Sequence, residues 1–95
     1  MEFEWDPVKA AANAKKHGVD FTEAMTVFGD PLELTIGDPD HSEDEQRFLS
    51  IGMSTAARLL IVGYTERAGR TRIIHAREAS AQERKDYEST SPSRR

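Results

Sequence analysis

Cysteine is absent from all 95 residues. That excludes a disulfide scaffold and a thiolate metal site. Long hydrophobic runs are missing as well. The longest, Leu59 to Val62, is far too short to span a membrane. The amino-terminal stretch Met1-Glu2-Phe3-Glu4-Trp5-Asp6 is acidic and carries no apolar segment of the kind a secretory signal needs. The expectation is a soluble cytoplasmic protein with no membrane partner. No phosphate-cradling glycine loop, metalloprotease helix, nucleophile elbow or internal repeat occurs. A chain this short is one domain, and it buries only about 60–65% of its unfolded surface, so its stability is modest.

Positive charge is scarce overall, with 13 Lys and Arg against 17 Asp and Glu and a net charge of −4. The scarcity is uneven. Residues 1–55 hold four basic and twelve acidic residues, a net of −8, whereas residues 56–95 hold nine basic and five acidic, a net of +4. Such a split suggests a basic face that meets an anion or an acidic partner. The plain alternative is charge spread over solvated faces.

The pattern predicts two helices, four strands and a last helix. Asp6-Pro7 caps and starts the first helix, which runs through an alanine- and lysine-rich stretch and stops at Gly18. Asp20 with Glu23 reads as a capping box for the second, whose apolar stripe is Phe21, Ala24, Met25, Val27 and Phe28. Phe3-Glu4-Trp5 is a short extended lead-in. Strands are expected at Leu32–Ile36, Arg47–Met53, Arg58–Thr65 and Arg70–Arg77. Ser80 with Glu83 opens the final helix through about Glu88, and residues 89–95 form a polar tail expected to be disordered. Short connections make the four-stranded sheet an antiparallel meander, and the class is α+β with helices on one face. The domain spans residues 1–88. Simple alternation puts Ile73, His75 and Arg77 on one face of the last strand, with Arg72, Ile74 and Ala76 on the other.

The candidate site lies in that strand and the helix after it. Arginines on a sheet are good bidentate phosphate ligands. Arg77 leads, as a phosphate ligand or a stabiliser of transition-state charge. Its ordinary alternative is a salt bridge to Glu78, Glu83 or an acid of a partner. Arg70 and Arg72 are placed to follow a phosphate backbone, with Arg84 on the last helix. Tyr87 can stack on a base or pass a proton, or it can simply pack. Lys16 and His17 end the first helix, and His17 and His75 are the candidate proton carriers. His41 with Asp38 and Asp40 invites a metal reading, but the spacing matches no strong motif and Pro39 marks a turn. No metal and no cofactor is expected.

Taken together these residues resemble a known family. Phe3-Glu4-Trp5-Asp6-Pro7, Lys9-Ala10, Asn13, Lys16-His17-Gly18-Val19, Phe21, Glu23-Ala24, Val27-Phe28 and Asp30-Pro31 follow the opening signature of the BrnT toxins. Asp38 to Ser42, Glu45, Arg47, Gly52, Ser54, Arg72-Ile73-Ile74, Ala76-Arg77, Glu83-Arg84 and Tyr87 continue the pattern to about residue 88. The resemblance implies a RelE-like fold and the toxin of a type II toxin–antitoxin system. It implies a metal-independent endoribonuclease that cleaves RNA and inhibits translation. The implied partner is a BrnA-like ribbon-helix-helix antitoxin, which carries the complex to operator DNA for transcription autoregulation. Lys16-His17, Arg72, Arg77, Arg84 and Tyr87 are the matching polar positions. A serine commonly precedes Ala-Arg in the family, and here it is His75, either a proton carrier or a space filler. Two other readings compete: a docking module without chemistry, and a co-repressor subunit acting through its antitoxin.

Overall fold

A computed structural model describes residues 1–38, 40 and 45–90. The elements in order are β1 (Glu2–Glu4), α1 (Pro7–His17), α2 (Phe21–Met25), a 3-10 turn (Thr26–Gly29), β2 (Leu34–Gly37), β3 (Arg47–Met53), β4 (Leu59–Arg67), β5 (Arg70–Glu78) and α3 (Ala81–Thr90). The strands form one sheet in the order β1-β5-β4-β3-β2. The expected four-stranded antiparallel sheet is therefore five-stranded and mixed. The strands after α2 pair antiparallel, and the lead-in becomes β1, parallel to β5 through Phe3↔Thr71 and Glu4↔Arg72. Three residues are too few for a visible period. Their pairing is driven by contacts distant in sequence: Phe3 packs on Phe28 at 5.3 Å between centroids, and the glutamates meet arginines of β5.

The helix boundaries follow local chemistry. The Asp6 carboxylate accepts from Val8 N at 2.9 Å, and Gly18 adopts φ 68° and donates to Ala14 O. Asp20 accepts from Glu23 N at 2.8 Å, yet the Glu23 carboxylate turns to Ser54 and Arg58 instead of closing the box. Only the third helix has the reciprocal box, with Ser80 N donating to Glu83 at 2.8 Å and Glu83 N to Ser80 Oγ at 3.2 Å. That helix reaches Thr90, so the first residues of the expected tail are helical, and residues 91–95 lie outside the described set.

The core joins Val19, Phe21, Ala24 and Val27 from the helical layer to Leu60, Val62, Ile73 and Ala76 from the sheet, with Phe3, Trp5 and Phe28 at its margin. Full burial of each valine, leucine, isoleucine or phenylalanine here is worth about 1.5–3 kcal/mol. Ile73 and Ala76 both face this core, which two-residue alternation forbids. The reason is a β-bulge. Gly63 opposes His75 and Tyr64 opposes Ile73, leaving Ile74 without a partner on β4. The predicted faces of the last strand are thereby corrected. Arg72, His75 and Arg77 oppose Thr65, Gly63 and Ile61 and share the face turned away from α1 and α2.

Where β1 ends, Asn13 of α1 takes over its role. The buried Asn13 amide donates to Ala76 O at 2.8 Å and to Val19 O at 2.9 Å, and accepts from Ala76 N at 3.0 Å. It satisfies the open edge of β5 as another strand would. This pins α1 beside His75. On the outer face Leu34, Ile36, Leu49, Ile51 and Ile61 line a mostly apolar groove of about 220 Å³, edged by Glu83 and Asp86.

Candidate functional site

The sequence places the late arginines together, and the structure does bring most of them to one face, through the bulge. It also pairs them with carboxylates. Arg77 makes a fork-on-fork contact with Glu83, both N–O distances 2.8 Å. Arg72 meets Glu4 at 3.1 Å, and Arg70 meets Glu2 at 3.2 Å and Glu4 at 3.6 Å. Arg67 holds Glu45 at 2.6 Å. The pairing around Arg77 shifts both of its members. Its hydrogen bonds to Glu83 raise the guanidinium further, and those same bonds hold the Glu83 carboxyl at about 2. An arginine held this way is oriented and only 38% exposed along its side chain.

A second group of basic side chains gathers at the edge of β5. Lys9, Lys16 and His17 from α1 and Ile74 and His75 from β5 line a cleft of about 230 Å³, floored by Ala12 and Asn13. The geometry follows from the elements already described. Asn13 docks α1 against the edge of β5, and the bulge brings Ile74 and His75 to that edge. Three sequence candidates, Lys16, His17 and His75, therefore converge, although His17 and His75 are 58 positions apart. Lys9 was missed. Its signal was present: Lys9 and Lys16 are seven residues apart, two helical turns or about 10 Å along one face of α1. His75 also lines a smaller hollow of about 60 Å³ with Asp38, Arg47 and Gly63, so the imidazole stands between the cleft and the outer face.

Arg84 and Tyr87 fall outside this cluster. Arg84 is exposed on α3 and lines neither hollow. Tyr87 is 1% exposed, and its hydroxyl donates to Asp30 Oδ2 at 2.6 Å, which anchors α3 to the loop after the 3-10 turn. The tyrosine is buried, with its hydroxyl turned to Asp30. The metal reading at His41 lies outside the described residues. Among those described, no three His, Asp or Glu side chains form a metal-binding group.

A mixed five-stranded sheet with three helices, and a cleft at its edge lined by lysine and histidine, defines a small α+β protein. Its fold matches the crystal structure of the Brucella abortus ribonuclease toxin BrnT with a TM-score of 0.63. The two are 24% identical, and the match covers 84% of this chain and 97% of that one. Residues 5–83 match the family described as "Ribonuclease toxin, BrnT, of type II toxin-antitoxin system". The chain belongs to this BrnT family of ribonuclease toxins. A search among curated proteins returns no match.

Proposed function

We propose that the protein is an endoribonuclease that needs no metal and cleaves RNA at the cleft between α1 and β5, thereby inhibiting translation in the cytoplasm. The observation that carries this is the convergence of two imidazoles with Lys9 and Lys16 in one cleft. In the mechanism, one histidine takes the proton of a ribose 2′-OH as its oxygen attacks the adjacent phosphorus. The P–O5′ bond breaks, and the other histidine returns a proton to the leaving oxygen. A 2′,3′-cyclic phosphate and a 5′-hydroxyl result. Each proton transfer contributes roughly 10²–10⁴-fold. Lys9 and Lys16 hold the phosphate, and Arg77 stabilises the phosphorane by exchanging one oxyanion fork, Glu83, for another.

Family membership supports a protein antitoxin as partner. The proposed one is BrnA-like, a ribbon-helix-helix protein that neutralises the toxin and carries it to operator DNA. The experiment is cleavage of purified RNA in excess EDTA by wild type and by Lys16→Ala, His17→Ala and His75→Ala, alongside growth arrest on expression. Cleavage persists in EDTA, and each histidine variant loses at least about 100-fold. Full cleavage by both histidine variants with the fold intact refutes the assignment. A docking module without chemistry is the second reading, favoured by the arginine–carboxylate pairs and the apolar outer groove. It expects no cleavage at all.

A further inference from the structure

Gly63 lies inside β4, the most buried strand, where glycine weakens a sheet and packs nothing. Its backbone does not call for glycine, because the positive-φ glycines are Gly18 and Gly69 alone among the described residues. The reason lies across the strand. A Cβ built on Gly63 would stand 2.2 Å from His75 Nε2, 2.6 Å from Cδ2 and 2.7 Å from Cε1. The imidazole thus rests in the space a side chain would fill. The bulge at Ile74 supplies the other half of the arrangement, turning His75 onto the face where Gly63 is its direct partner.

We infer that Gly63 is a positioning residue for His75. The missing side chain seats the imidazole at the boundary between the α1 cleft and the outer face, one row from Arg77. Any larger residue expels the ring. This rests on the reading of His75 as an acid–base group. It goes beyond that reading by assigning the orientation of the ring to a residue that touches no substrate. The ring is the far end of a side chain, so an alanine displaces it and leaves the strand intact.

The test compares wild type, Gly63→Ala, His75→Ala and the double variant in RNA cleavage across pH, with the His75 ring-proton resonances of the free proteins followed by NMR. Gly63→Ala shifts those resonances and lowers kcat by roughly 10–100-fold while KM stays within about twofold. It flattens the same limb of the pH profile that His75→Ala removes. In the His75→Ala background the glycine change is silent to within about twofold. Unmoved resonances, wild-type cleavage by Gly63→Ala, or a further loss in the double variant overturns the inference. If His75→Ala cleaves as wild type, the acid–base reading of His75 fails, and the resonances still report whether the seat exists. Should Gly63→Ala fail to fold, recovery of folding in the double variant supports the ring contact, and failure of both overturns it.

Discussion

Glu83 meets two demands at once. It closes the capping box of α3 through Ser80 N and grips both terminal nitrogens of Arg77. Its folded value of about 2 lies below the ordinary 4.5, so the pair stabilises the fold at pH above about 4.5 and loses that contribution as the pH falls towards 2. Side chains 38% and 31% exposed are partly screened, which limits the gain to about 1 kcal/mol. Urea denaturation between about pH 5 and about pH 2 checks this. Wild type loses stability across that window, and Glu83→Gln removes this share of the slope. The sequence leaves a salt bridge of Arg77 open between Glu78, Glu83 and an acid of a partner. The structure selects Glu83, because helix capping already brings that carboxylate to the end of β5.

At the scale of elements, Tyr87 is the one buried residue of α3 among those described. Tyr87 packs at 1% exposure, and its hydroxyl donates to an Asp30 carboxylate that also accepts from Leu32 N and Met53 N. Asp30 thereby ties α3, the loop before β2 and the end of β3 together. Tyr87→Phe removes one charge-assisted hydrogen bond and costs about 1.5–3 kcal/mol in chemical denaturation. RNA cleavage by this variant remains within about twofold of wild type, since both proton transfers are assigned to histidines. A loss of roughly 100-fold in kcat with the fold intact would restore Tyr87 as the acid. The same element scale explains β1. Nothing in Phe3-Glu4-Trp5 marks a strand by itself, and the β5 partners of β1 lie 68 positions further along the chain.

Over the whole molecule, net charge and local charge separate. The chain is acidic at −4, and its arginines are largely neutralised by Glu2, Glu4, Glu45 and Glu83. In the proposed complex the phosphate contacts are Lys9, Lys16 and Arg77, the last once it releases Glu83. Binding of single-stranded RNA should therefore depend only moderately on salt, with log K falling about 0.7 per phosphate contact and a total slope near −2. Fluorescence anisotropy with a cleavage-resistant oligonucleotide across a salt series measures it. Lys9→Ala reduces the slope by about 0.7. A slope steeper than about −5 would mean that the paired arginines release their carboxylates and join the interface.

Much of this protein was legible residue by residue. Asp6-Pro7, Gly18, Asp20 and Ser80-x-x-Glu83 mark helix ends because capping is a local contact between neighbours in the chain. The strands after α2 and the α+β class follow from apolar alternation, and the family follows from the order of many small signatures. Contacts distant in sequence decided the rest. The bulge that moves His75 and Arg77 to the side of Arg72, the seat at Gly63, the parallel β1 and the docking of α1 by Asn13 all depend on what lies across a strand or sheet edge. Periodicity counts residues along one chain, whereas register is set by which side chains fit against the neighbouring strand, and that fit exists only once the sheet has formed.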